Sequence, residues 1–197
     1  MKFIGYDIGS SSIKASIVDE KGALLAHTKF PNTEMPIESP KAGWAEQNPD
    51  YWWKIFCTVT QKILNENKIN PNDIHGIGIS YQMHGLVIVD KDLKPLRPSI
   101  IWCDSRAVSM GENAFNELGE EICMREFLNS PGNFTASKLK WVKENEPEIY
   151  EKTWKFMLPG DYIALRLTGE ATTSVTGLSE GVLWDFEKHQ VSDTLLN

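Results

Sequence analysis

The stretch Tyr6-Asp7-Ile8-Gly9-Ser10-Ser11-Ser12-Ile13-Lys14 carries residue types that hold phosphate. An apolar run (Phe3, Ile4) precedes it and an alternating one (Ile13, Ala15, Ile17) follows, so it reads as the turn of a β-hairpin. Gly9 permits a backbone conformation closed to other residues, and Ser10, Ser11 and Ser12 leave N–H and hydroxyl donors for phosphate oxygens. Asp7, at the end of the first strand, sets a carboxylate beside that nest, where a hard divalent cation bridging phosphates takes oxygen ligands. Lys14 adds a positive charge. A Walker-type loop needs a second glycine and runs into a helix; this stretch lacks the glycine and runs into a strand. Taken alone, a Gly-Ser turn with no ligand is the commoner explanation of such a hairpin, so its meaning must come from the rest of the chain.

Two further polar clusters stand where apolar runs stop. Residues 74–80, rich in isoleucine and glycine, read as a strand that ends in Tyr81-Gln82-Met83-His84-Gly85. Residues 99–102 lead into Cys103-Asp104-Ser105-Arg106 at the mouth of a helix over 107–118. Ligands of open α/β sheets sit beyond strand ends, so residues 7–12, 82–84 and 104–106 are expected to line one cleft. By residue type alone His84 is more often a structural or surface histidine, and Asp104 with Arg106 is equally a helix cap followed by a solvated charge. Asp161, just after Pro159, fits stabilisation of a helix first turn. His27, His75 and His189 have no partners at metal-ligand spacing.

The elements that must position these clusters follow from periodicity. A third strand over 23–29 completes a meander, and three prolines exclude regular structure over 30–43. Asn48-Pro49-Asp50 is a helix start, after which Trp52, Ile55, Phe56, Val59 and Ile63 form a core-facing stripe. Trp44-Ala45-Glu46-Gln47, just before it, is less clearly explained by packing. Residues 86–89 resume as a strand, and 130–133 are a loop. Helices are expected over 137–145 and 147–152, a strand over 154–158, and a helix over 159–167 that Gly169 stops. Short strands and turns follow from 170 onward. A meander followed by strands alternating with helices implies an α/β protein built on a mixed sheet flanked by helices.

Composition narrows the partners. The 197 residues sit at the upper end of one domain, and 41% hydrophobic with 24% charged residues is ordinary for a globular chain. A net charge of −7 offers no counter-charge to nucleic acid or to an anionic membrane, although a local nest with a cation can still hold phosphate. Cys57, Cys103 and Cys123 are odd in number and widely spaced, which reads as reduced, mostly buried thiols in a cytoplasmic protein. Asp7 interrupts the N-terminal apolar stretch before it could act as a signal core, and no long apolar run follows.

Five stretches, in this order, resemble the FGGY family of carbohydrate kinases. They are the hairpin at residues 6–14, Gly43-Trp44-Ala45-Glu46-Gln47-Asn48-Pro49, Gly78-Ile79-Ser80-Tyr81-Gln82-Met83-His84-Gly85, Trp102-Cys103-Asp104-Ser105-Arg106, and Leu158-Pro159-Gly160-Asp161-Tyr162-Ile163 through Leu167-Thr168-Gly169-Glu170. The Met83-His84 pair is similar to the xylulokinase branch of the family, whereas glycerol kinases carry an Arg-Glu pair there. Tyr81 stands where glycine is frequent, and Ser10 where threonine is.

The resemblance implies a ribonuclease-H-like, actin-like ATPase fold and transfer of the ATP γ-phosphoryl group to a sugar hydroxyl, D-xylulose first, with ATP and Mg²⁺ as cofactors. It implies that Asp7 holds Mg²⁺ directly or through water, that Gly9, Ser10, Ser11, Ser12 and Lys14 hold phosphates, and that Met83, His84, Trp102, Asp104 and Arg106 face a ketopentose. Asp104 is the strongest of these substrate ligands. It also implies a chain roughly two to three times longer, with the catalytic aspartate beyond residue 197. Residues 1–197 are then an N-terminal domain, inactive by itself, and a homodimer stays open. Another FGGY kinase (gluconate, ribulose or another polyol) is the nearest alternative. An actin-like ATPase that drives assembly, and a non-catalytic sugar-binding module, are the alternatives of other classes.

Overall fold

Alternation decides the first sheet. A computed structural model describes residues 1–196, and in its first strand, β1 (Lys2–Ile8), Ile4, Tyr6 and Ile8 are buried on one face while Phe3 and Gly5 are exposed on the other. β2 (Ile13–Asp19) pairs antiparallel with β1, and β3 (Leu24–Phe30) with β2, which is the expected meander. The two-residue strand β4 (Glu46–Gln47) leads into α1 (Pro49–Glu66). Asn48 caps that helix by accepting the Asp50 N–H at 2.9 Å, with Pro49 at the first helical position. Its buried stripe of Trp52, Ile55, Phe56, Val59 and Ile63 joins the inner residues of β1 and β2 in one core. β5 (Ile74–Tyr81) then returns parallel to β1, giving a mixed sheet in the order β3-β2-β1-β5.

A second layer is built from short pieces. β6 (Val87–Val89) and β7 (Ser99–Ile100) precede α2 (Val108–Leu118) and α3 (Glu120–Ile122), which passes into a π-helical turn at Cys123–Phe127. α4 (Thr135–Asn145), α5 (Pro147–Lys152), β8 (Lys155–Met157) and α6 (Pro159–Thr168) follow, and α6 ends on Gly169 in the left-handed region at φ 78°. β4 pairs with β7, and β6 with β8, both antiparallel. The end of the chain forms α7 (Val175–Glu180), the hairpin of β9 (Trp184–Asp185) and β10 (Gln190–Val191), and α8 (Asp193–Leu196).

The structure departs from the sequence expectations in two places and forms helix over one segment, 120–127, that the sequence leaves unassigned. Residues 120–127 are helical because Cys123 and Phe127 bury against Val182, a contact distant in sequence that leaves no local stripe. α7 lies where only strands and turns were expected: its residues are weak helix formers, and the helix exists because Ser174 Oγ accepts the Gly177 N–H at 3.0 Å and Gly177 packs on Leu158. Cys103 is exposed, unlike half-buried Cys57 and buried Cys123. Among the described residues no helix is long and apolar enough to cross a membrane.

α2 meets the 130–133 loop backbone to backbone at Gly111, where an added Cβ would stand 1.8 Å from the Gly132 carbonyl oxygen. Gly111→Ala should therefore destabilise the fold by about 1–3 kcal/mol through overpacking. A urea midpoint equal to that of the parent protein would refute this packing.

Candidate functional site

The ends of β1 and β5 bring the first two clusters together. The Gln82 N–H donates to the Ile8 carbonyl at 2.9 Å, which extends the parallel ladder by one step, so the 9–12 turn and the 82–84 loop leave the sheet side by side. Asp7 lies opposite Ser80 in the register, and its half-exposed carboxylate sits 2.8 Å from Lys14 Nζ. Within the turn the Gly9 N–H donates to the Ser12 carbonyl at 3.2 Å. An added Cβ on Gly9 would stand 3.0 Å from that oxygen, so glycine serves close approach here; its φ lies outside the left-handed region. Ser11 is exposed, Ser10 half-buried and Ser12 buried.

Gln47 ties the turn to the rest of the cleft. Its buried amide donates to the Ser10 carbonyl at 2.7 Å, and its Oε1 accepts from Trp52 Nε1 at 3.1 Å and from Gln82 Nε2 at 3.3 Å. The pairing of β4 with β7 carries the third cluster to the same place, where Trp102 Nε1 donates to Ser10 Oγ at 3.3 Å. Trp102 remains 48% exposed and Met83 54%, so both offer apolar surface to a ligand.

Asp104 and Arg106 are placed differently from their neighbours. Both are buried, and the Asp104 carboxylate is occupied on both oxygens: Oδ1 accepts the Arg106 backbone N–H at 2.8 Å, while Oδ2 accepts the Ala45 N–H at 2.6 Å and Arg106 Nη2 at 2.7 Å. The Arg106 guanidinium also contacts Glu46 Oε1 at 2.7 Å and lies 3.7 Å from the centre of the Trp44 ring. Arg97 pairs with the same glutamate. The helix mouth is therefore held by a buried ion cluster, and these two side chains face the protein where the family resemblance implied a sugar contact. The Trp44-Ala45-Glu46-Gln47 stretch is explained by the same cluster.

His84 sits in a cage that residue spacing did not reveal. Its backbone is left-handed, at φ 58°. Glu180, the last residue of α7, accepts the His84 backbone N–H, and the same oxygen lies 2.7 Å from Nδ1 without an in-line hydrogen bond to it. Fully buried Lys138 donates to the His84 carbonyl at 2.6 Å, and Phe134 meets the ring edge-on at 4.3 Å between centroids. The Tyr81 ring lies against Gly160 at the start of α6, where no Cβ could fit, and burial with the nearby Asp161 and Glu180 charges raises its hydroxyl to about 12. Asp161 caps its own helix: it accepts the Leu158 N–H at 3.2 Å and Thr173 Oγ1 at 2.9 Å, and burial raises its carboxyl. Signals for Glu180 and Lys138 were absent from the sequence because both act from helices with no motif of their own.

The family model for the FGGY family of carbohydrate kinases, N-terminal domain, matches residues 2–197. The chain belongs to that family. It is 35% identical over 192 residues to a xylulose kinase of Lactococcus lactis, covering 98% of this chain and 38% of that protein. It is 33% identical over 198 residues to a xylulose kinase of Bacillus subtilis, covering 100% of this chain and 39% of that protein. Its fold matches the crystal structure of a xyloylose kinase from Brucella ovis at a TM-score of 0.91 and 30% identity, over 100% of this chain and 40% of the other. The expected actin-like α/β fold is thus the fold observed. The chain spans about two fifths of the length of these relatives.

In this FGGY chain, burial lowers the Lys138 ammonium from 10.5 to about 8 although Asp104 and Glu180 pull it upward. Between those values the unfolded chain binds more protons at this position than the folded one, so stability rises with pH across that window. Lys138→Met should lack the rise, a difference of about 1–3 kcal/mol between pH 8 and 10.5. Urea midpoints that run parallel in the two proteins would contradict it.

Proposed function

We propose that this chain forms the phosphate-hairpin and sugar-binding part of an ATP-dependent sugar kinase that phosphorylates a hydroxyl of a ketopentose, D-xylulose first. One observation carries the reading: Gln47 joins the 9–12 turn, through Ser10, to Gln82, so the turn and the loop that carries Met83 and His84 are tied by hydrogen bonds. The Met83-His84 pair favours the ketopentose, and the xylulose kinases among the relatives support it.

The residues fit both ATP phosphates and Mg²⁺. Asp7 is a half-exposed carboxylate at the mouth of the turn, suited to one oxygen ligand of a cation that completes its shell with water and phosphate. Bound Mg²⁺ would supply charge neutralisation at the phosphates, which with positioning makes up most of phosphoryl-transfer catalysis. Gly9 to Ser12 present backbone and hydroxyl donors, and Lys14, now on Asp7, can turn its charge to a phosphate. His84 orients a sugar hydroxyl, Met83 and Trp102 pack on its carbon face, and Asp104 and Arg106 hold that wall in place. No residue of this chain is assigned as the general base.

In the full-length protein, ATP turnover should depend on D-xylulose and stay at background with glycerol or gluconate. Sugar-independent ATP hydrolysis would instead favour an assembly-type ATPase. Asp7→Ala should abolish most Mg²⁺-ATP-dependent phosphorylation with the fold intact by circular dichroism; full turnover in that variant would sink the assignment. His84→Ala should raise the sugar KM by about 10–100-fold, as for loss of one or two hydrogen bonds to a bound hydroxyl. An effect confined to the KM for ATP would remove His84 from the sugar site.

A further inference from the structure

Glu180 is poorly placed on two counts. It ends α7, at the negative end of the helix, where an acidic side chain is disfavoured. Its Oε2 is buried with no hydrogen-bond partner, a cost that calls for a compensating role. Its other oxygen takes the His84 backbone N–H and stands 2.7 Å from the buried Nδ1 of that ring, so the exposed quarter of the side chain lies away from Nδ1. On the far side of residue 84 Lys138 holds the carbonyl at 2.6 Å, and Phe134 closes on the ring. A histidine held in the left-handed region, at a cost of order 1–3 kcal/mol, persists only when its surroundings over-determine it.

We infer that Glu180 is a positioning residue for sugar recognition: it keeps the His84 proton on Nδ1 and leaves the Nε2 lone pair to accept a hydrogen bond from a sugar hydroxyl. The chemistry is general to imidazole, whose tautomer is set by the partner of the other nitrogen. A carboxylate beside Nδ1 stabilises the proton there, Lys138 and the backbone N–H contact fix the main chain of residue 84, and Phe134 packs against the ring. Lys138 thus acts on the backbone that carries the ring and Glu180 on the ring's protonation site. The inference rests on the sugar-site reading of His84, and its first test does not.

The test uses the full-length protein with ¹⁵N-labelled histidine, the His84 signals being identified by their loss in His84→Gln. At a pH where the ring is neutral, the parent protein should show Nδ1–H as the dominant tautomer. Glu180→Ala should shift the ring toward Nε2–H, and the near-isosteric Glu180→Gln, whose carbonyl can still accept, should retain most of the original form. Steady-state kinetics should then show a sugar KM raised roughly 10-fold in Glu180→Ala, recovered in part in Glu180→Gln, with the KM for ATP unchanged. An Nε2–H tautomer in the parent, or a tautomer indifferent to Glu180→Ala, would overturn the inference. A tautomer shift with an unmoved sugar KM would uphold Glu180 as the residue that sets the ring and would overturn the sugar contact of His84.

Discussion

Two consecutive buried residues, Glu46 and Gln47, tie the 9–12 turn, the end of β5 and the 104–106 helix mouth to one strand. Successive strand residues point to opposite sides, so the dipeptide of β4 reaches two places at once. Glu46 receives two guanidinium groups, from Arg97 and Arg106, and fixes the helix mouth. Gln47 bonds the 9–12 turn, the first turn of α1 and the end of β5. Neither residue needs to touch a ligand to govern the distance between the groups that would.

The ion cluster around Glu46 explains why the third polar segment is inward-facing. Burying a carboxylate or a guanidinium is costly unless its hydrogen-bonding capacity is met, and removing one partner from a buried pair is worse than removing both. Arg106 meets the requirement with Asp104, Glu46 and the face of Trp44; Asp104 meets it with Arg106 and the Ala45 N–H. Such a set leaves no oxygen on Asp104 for a sugar. Its value to a ligand site is rigidity: Trp102, two residues before it, is presented from a fixed base.

The parts legible in the sequence were those with a local physical cause. Alternating side chains marked β1 and β2, the Asn48-Pro49 start marked α1, and strand ends marked the three clusters. The actin-like fold came from ordered motifs rather than from periodicity. What could not be read depended on distant partners. Asp104 looks the same in sequence whether its carboxylate faces water or Arg106. α7 has no helical stripe: its Ser174 cap is local, but Gly177 packs against Leu158 from the preceding helix's start, a contact with no mark in the segment's own sequence. Glu180 was invisible for the same reason, since its partner lies 96 residues away.

The left-handed backbone at residue 84 also bounds how this cleft can diversify. At φ 58° a branched Cβ is crowded by the backbone, so valine, isoleucine and threonine carry strain there that must be offset by packing, as it is for buried Val182 at φ 56° in the same chain. Glycine, asparagine and unbranched side chains are the substitutions that leave the loop's path unchanged. Met83, exposed and without this restriction, can vary freely in shape. Changes of side-chain shape in this loop are therefore less strained at position 83 than at 84, a bias set by backbone geometry before any ligand is considered.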